Sequence, residues 1–68
     1  MQFIVNKNIK RIISEKGLRQ KDVAAKLLIK PEVISNICCC KRRVYAEEVV
    51  PIATALQVPI DALFAEVT

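Results

Sequence analysis

Apolar residues recur three or four positions apart through most of this 68-residue chain, but only in short segments. Segments this short do not hold a helix by propensity alone, so they must pack against one another. The spacing predicts helices over residues 6–16, 20–27, 31–39 and 46–56, and a last one from 60 to 66 or 67. Phe3, Ile4 and Val5 are strand-like residues and form the one weak exception. The sequence therefore predicts an all-α fold, a compact domain of five short helices.

Residues that favour or break helix ends set the expected boundaries. Asn6 or Asn8 can cap the start of the first helix, and Gly17 suits its end because glycine accepts the left-handed conformation. Pro31 suits the first turn of the third helix, where its missing N–H costs nothing. Pro51 falls beyond the first turn of the fourth helix, so we expect that helix to have an irregular or kinked start.

The length fits a single domain over residues 1–68. Apolar residues make up 53% of the chain, yet a domain this small buries only about 60% of the surface of its unfolded chain. We therefore expect part of the apolar surface to meet a partner. The apolar runs are too short for a membrane span, and residues 1–7 lack the pattern of a secretory signal. We expect a cytoplasmic protein with no membrane partner.

The composition offers little for catalysis or cofactor binding. The chain has no His, no Trp and one Gly, so it lacks an imidazole base and a glycine-rich phosphate loop. The three cysteines are consecutive, Cys38 to Cys40, which fits neither a zinc site nor a disulfide framework. They are either small apolar residues that close a helix or, less simply, a redox sensor beside basic residues. We expect no enzyme activity, no cofactor, no metal and no small-molecule ligand.

The charges are unevenly distributed along the chain. All 11 Lys and Arg residues lie between Lys7 and Arg43, so residues 1–43 carry a net charge of +8 and the remainder carries −4. Such polarity suits a molecule with one face for a polyanion and another face for a different partner. The alternative interpretation is a solvated surface with uneven charge.

The second and third segments have the pattern of a helix-turn-helix. Two short helices are joined by a tight turn, with basic residues before, within and after the second. The run from Leu18 to Ile37 resembles the Cro and phage-repressor type of this motif. The resemblance continues through Lys41-Arg42 and residues 52–64, and its most specific matches are Gln20, Ala24, residues 34–37 and residues 58–64. It implies a lambda-repressor-like DNA-binding domain, with the motif at about residues 20–39 and a dimerisation region at about 56–68.

The resemblance also implies roles for individual residues. The third helix would enter the major groove, with bases or nearby phosphates reached by Lys30, Pro31, Glu32, Val33, Ser35 and Asn36. The DNA backbone would be contacted by Arg19, Gln20, Lys41, Arg42 and Arg43, with Arg42 or Arg43 entering a minor groove. Val33 is as readily a core residue, Ser35 and Asn36 are as readily solvated, and Tyr45 is expected to pack against the fourth helix. The dimer interface would lie around Ile60, Phe64 and Val67.

The sequence also departs from the family pattern. Leu28 replaces the usual turn glycine, Lys30 replaces a Ser or Thr cap, and Cys38-Cys39-Cys40 replaces Glu-Asn-Gly, which could reshape the loop after the third helix. In many relatives a basic residue late in the first helix pairs with an acidic residue at the end of the third helix. In this chain Ile13 and Cys38 occupy those two positions. Because both charges are absent together, we predict that Ile13 and Cys38 are both buried and in contact.

The expected function is that of a homodimeric transcriptional regulator of bacterial or phage type, in the first instance a repressor, bound to an imperfect palindrome in double-stranded DNA. An antitoxin or a restriction-modification controller would use the same domain. A different class of protein, an interaction module with an incidental basic face, is the rival hypothesis.

Overall fold

The computed structural model describes residues 3–66, which contain five α-helices and no strand. The helices are α1 Ile4–Glu15, α2 Gln20–Leu27, α3 Pro31–Cys38, α4 Ala46–Leu56 and α5 Ile60–Phe64. The strand-like exception was wrong, because Ile4 and Val5 belong to α1 and packing of Val5 against the core overrides its β-propensity. Helix α5 ends before the predicted residue 66, since Ala65 is already extended. The predicted alternative end at Val67 lies outside the described residues.

The core is built from one face of every helix. Ile9 of α1, Ile34 of α3 and Leu63 of α5 are fully buried in it. Helix α1 packs against both α3 and α5, while α4 packs against α2 and α5. The first helix therefore lies between the helix-turn-helix region and the last helix. No helix within residues 3–66 is long and apolar enough to span a bilayer.

Helix α1 ends at Glu15, and Gly17 stops it two residues further on, as predicted. Gly17 has a φ of +66°, its N–H donates to the Ser14 carbonyl at 3.1 Å, and the Leu18 N–H donates to the Ile13 carbonyl at 2.9 Å. These two bonds satisfy carbonyls that the helix end would leave unpaired, which is the Schellman arrangement. The same arrangement closes three more helices at residues that are not glycine, namely Leu28, Cys40 and Gln57.

The predicted capping role of Asn6 and Asn8 was wrong. Helix α1 begins at Ile4, so both asparagines lie inside it, and both are almost completely buried. Asn6 Nδ2 donates to the carbonyls of Ile37 at 2.9 Å and Arg42 at 2.7 Å. Asn8 Nδ2 donates to the carbonyls of Leu63 and Ala65, each at 2.8 Å. Long-range backbone carbonyls, rather than the start of their own helix, decide where these amides lie.

Helix α4 does not have the irregular start predicted from Pro51. Its N-cap is Tyr45, whose backbone is extended, and the helix continues unbroken from Ala46 through Pro51 to Leu56. Glu48 Oε1 accepts the Tyr45 N–H at 2.9 Å, and the Glu48 N–H donates to the Tyr45 carbonyl at the same distance. Pro51 deprives the Glu47 carbonyl of its helical donor, but Glu47 is exposed and water can replace that donor.

Candidate nucleic-acid interface

The turn between α2 and α3 is tight although it contains no glycine. Leu28 adopts a left-handed conformation with a φ of 59°, and the Ile29 N–H donates to the Ala24 carbonyl at 3.0 Å. Lys30 is extended and Pro31 is the first residue of α3, where a proline is well tolerated. The turn therefore closes with Leu28 at the position where the family usually has glycine. The Leu28 side chain is 92% exposed, so no packing offsets the left-handed strain.

Helix α3 separates a buried face from a solvent face. Ile34, Ile37 and Cys38 are buried. Val33 is partly buried and packs against the core, so the core interpretation of this residue is correct for part of its side chain. The remaining predicted base contacts lie outside the core: Pro31, Glu32 and Asn36 are exposed and Ser35 is half-buried.

The segment after α3 closes without a glycine as well. Cys40 has a φ of 60°, and the Lys41 N–H donates to the Asn36 carbonyl at 2.8 Å. The loop thus has an ordinary helix-end geometry, even though the family's Glu-Asn-Gly is missing. Cys38 is buried and Cys39 is exposed. Burial raises the pKa of the Cys38 thiol, and neighbouring Cys39 adds to that effect, while the Lys10 ammonium acts in the opposite direction.

Arg42 is already paired inside the protein. Its Nη2 lies 2.7 Å from Glu48 Oε2, its Nη1 lies 3.1 Å from Glu48 Oε1, and its guanidinium lies 5.4 Å from the centre of the Tyr45 ring. The hydrogen bonds from Arg42 lower the pKa of Glu48, and the same bonds raise the pKa of Arg42. The Arg42 backbone carbonyl is held by Asn6. This residue, predicted to meet phosphate or a minor groove, is engaged by a carboxylate in the structure.

The other predicted backbone contacts are exposed. Arg19 precedes α2, Gln20 is its first residue, and Lys30 precedes α3. Lys41 and Arg43 flank Arg42, and neither forms an ion pair within residues 3–66. No side chain in the described part of the chain caps the start of α2. The Asp22 N–H donates to the Arg19 carbonyl at 3.0 Å, which leaves the N–H groups of Gln20 and Lys21 for an anion.

Two of the three predicted dimer residues are described. Ile60 is 41% exposed and Phe64 is 51% exposed, so α5 presents apolar surface to solvent. Val67 lies outside the described residues. The carbonyls of Leu63 and Ala65 are fixed by Asn8, which ties this end of the chain to α1.

Sequence reasoning missed the part that α1 plays in this region. The available signal was the presence of two asparagines inside an otherwise apolar helical pattern, which is unusual for residues that prefer caps and turns. Periodicity indicates which positions are buried, but it does not show which carbonyls an amide meets.

Within residues 3–66 no group of His, Cys, Asp or Glu side chains could hold a metal ion. An open groove of about 200 Å³ lies between the α2–α3 turn and α4, lined mainly by apolar side chains such as Leu27, Ile29 and Pro51.

Sequence comparison finds no matching protein-family model, and no curated protein matches significantly either. Among solved structures, the fold is similar to the crystal structure of the clp gene regulator ClgR from C. glutamicum. The TM-score is 0.86, and the match covers 93% of this chain and 82% of that chain at 14% sequence identity. An identity this low establishes the fold alone. The predicted all-α fold with a helix-turn-helix at α2 and α3 is confirmed.

Proposed function

We propose that this chain binds specific sequences in double-stranded DNA and regulates transcription as a homodimer, acting as a repressor. The observation that carries the proposal is the solvent face of α3, the second helix of a helix-turn-helix, with the basic segment 41–43 two residues after the helix end. The similar fold of a gene regulator supports the same conclusion. A protein of this kind works where the chromosome is, which for a bacterium is the cytoplasm.

In this proposal α3 lies in the major groove and its exposed residues meet base edges. Glu32 accepts a hydrogen bond from a cytosine amino group, and Asn36 pairs with adenine. Arg19, Lys30, Lys41 and Arg43 neutralise phosphates, and the open start of α2 at Gln20 binds one more. Phosphate contacts set affinity and orientation, whereas base contacts set the preferred sequence.

The proposed dimer uses the exposed apolar surface of α5. Ile60 and Phe64 lie in the acidic, Lys- and Arg-free part of the chain, which a polyanion would avoid. A two-fold interface there leaves both basic regions for one duplex. The resulting binding site is an imperfect palindrome.

Selection of binding sequences from random duplexes by the purified protein tests the proposal directly. Enrichment of one palindromic sequence is the expected result. On that sequence Asn36→Ala should lose about 1–3 kcal/mol of binding free energy with little effect on random DNA. Arg43→Ala should weaken binding to every duplex alike and reduce the salt dependence. No enrichment above random DNA, or equal effects of both substitutions on both kinds of duplex, contradicts the assignment.

A second candidate function is protein binding, by an interaction module whose basic face is incidental. It is favoured by the exposed apolar side chains of Leu28, at 92%, and Val50, at 55%. Single exposed apolar residues are common on protein surfaces. When they lie near an apolar groove, they suggest a binding partner. Salt-dependent duplex binding by the isolated protein distinguishes the first function from the second.

A further inference from the structure

Helix α1 is fastened to the end of α3 and to the basic segment that follows it. The buried Asn6 amide donates to the Ile37 carbonyl in α3 and to the Arg42 carbonyl in the segment. One side chain therefore fixes both pieces of backbone relative to α1. Any charged residue of α1 on the same side of the helix must lie close to the proposed DNA-binding region.

Lys10 lies on this side of α1, and Lys7, which directly follows Asn6 in the sequence, lies on its flank. At 3.6 residues per turn, Lys10 lies about 40° around the helix from Asn6 and Lys7 lies about 60° further on. Both side chains are exposed to solvent. Lys10 is close enough to Cys38, the last residue of α3, to affect its thiol electrostatically. The two lysines thus extend from the end of α3 along the outside of α1.

Their charges are not compensated within the protein. The ion pairs described in residues 3–66 are Arg11 with Glu15, on another side of α1, and Arg42 with Glu48. Arg42, whose carbonyl is held by Asn6, is already paired with Glu48 through its guanidinium. The uncompensated positive charge at this end of the molecule therefore belongs to Lys7 and Lys10 as well as to Lys41 and Arg43.

We propose that Lys7 and Lys10 form a second phosphate-binding surface on α1, which contacts the DNA backbone beside the helix-turn-helix and is held in place by Asn6. The inference rests on the proposed duplex binding and adds a helix that lies outside the helix-turn-helix. The ligand is the phosphate backbone and not the bases, because two ammonium groups on flexible stems carry no planar donor pattern that would distinguish base pairs.

The test is the salt dependence of binding to one duplex by wild type and by a Lys7→Gln/Lys10→Gln variant. Each phosphate contact contributes about 0.9 to the slope of log affinity against log salt concentration, so the variant should have a slope smaller by about 1.8. Its affinity should fall by the same factor for the preferred duplex and for random duplexes. Both residues are exposed, and urea unfolding verifies that the variant is folded.

The matched control is Lys16→Gln, compared with Lys10→Gln, because each removes one charge from an exposed position and Lys10→Gln should lower the slope by about 0.9. Lys16 directly follows α1, and its Nζ donates to the Gln57 carbonyl at 3.3 Å, at the opposite end of α4 from residues 41–43. This control should keep the wild-type slope. Equal losses in Lys10→Gln and Lys16→Gln would mean that only total charge matters, and an unchanged slope in Lys7→Gln/Lys10→Gln would exclude contact; either result overturns the inference. A wild-type protein that binds no duplex overturns the proposed function itself.

Discussion

Four residues in left-handed conformation end four of the helices, and only Gly17 among them is glycine. Leu28, Cys40 and Gln57 adopt φ values of 59°, 60° and 59°. The left-handed conformation costs a residue with a Cβ roughly 1–2 kcal/mol. Glycine avoids that steric cost but loses more conformational entropy on folding, which offsets part of the difference. Hydrogen bonds at each helix end hold these residues in place, so the fold stores strain at three positions.

The strain at Leu28 predicts a stabilising substitution. Leu28→Gly should raise the free energy of unfolding by about 0.5–1 kcal/mol, because the left-handed strain is lost and an exposed side chain contributes no packing. Urea unfolding measures the change. Gly17→Ala is the matched reverse case: a Cβ at Gly17 meets no atom within 4 Å, so its loss of stability should reflect conformation alone. A less stable Leu28→Gly would show that the exposed leucine makes a stabilising contact.

The Arg42–Glu48 pair predicts a dependence of stability on pH. Because the folded protein lowers the pKa of Glu48 below its ordinary 4.5, the stabilisation is present above that pH and is lost as the pH falls through the lowered value. About a third of each side chain is exposed, so the contribution should stay below about 1 kcal/mol. Urea unfolding at decreasing pH should show a smaller loss for Glu48→Gln than for wild type. Parallel curves for the two proteins would contradict a stabilising ion pair.

At the scale of helices, α1 acts as a brace with two buried amides on different sides. Asn6 fixes the end of α3 and the segment that follows it, whereas Asn8 fixes the end of α5. The first contact orders the proposed DNA-binding region and the second orders the proposed dimer region. The two asparagines therefore have the same chemistry but different expected consequences for function.

Alanine at either asparagine should separate these roles. Each substitution removes two hydrogen bonds from a buried amide to backbone carbonyls and should cost about 1–3 kcal/mol of stability. Under conditions where both variants are folded, Asn6→Ala should weaken duplex binding several-fold through the displaced segment at 41–43. Asn8→Ala should instead weaken dimer formation, as measured by sedimentation. Equal effects of the two variants on DNA affinity of the folded dimer would rule out a local role for Asn6.

Ile13 and Cys38 are both buried in the same core, at 6% and 4% exposure. Direct contact between them stays a prediction, tested by a double-mutant cycle. Cys38→Glu should destabilise by roughly 3–5 kcal/mol, since an unpaired charge is buried. Adding Ile13→Arg should recover part of that loss by supplying a partner. A double variant no more stable than Cys38→Glu alone, by urea melting, would falsify the pairing.

At the scale of the whole molecule, the positive charge lies in residues 1–43 and the apolar surface of α5 lies in the acidic remainder. This division predicts a two-fold dimer with recognition helices about 34 Å apart, one turn of duplex. Phe64→Glu should abolish the dimer and weaken palindrome binding more than half-site binding, because each half-site then binds alone. Sedimentation and duplex binding measure both effects. A wild-type protein that stays monomeric at micromolar concentration with DNA present is incompatible with the proposal.

The helix pattern followed from the sequence because short amphipathic segments bury their apolar faces whatever their neighbours, and local signals such as Gly17 and Pro31 act within one turn. The partners of buried or charged side chains lie in other elements of the fold, and those of the two asparagines are far away in the chain. Asn6 and Asn8 reach carbonyls 31 to 57 positions further along, and Arg42 pairs with Glu48. Local patterns predicted that the asparagines cap a helix and that Arg42 is an unpaired cation. Only tertiary packing decided otherwise, because a buried amide or a half-buried guanidinium binds whichever acceptors the folded backbone brings to it.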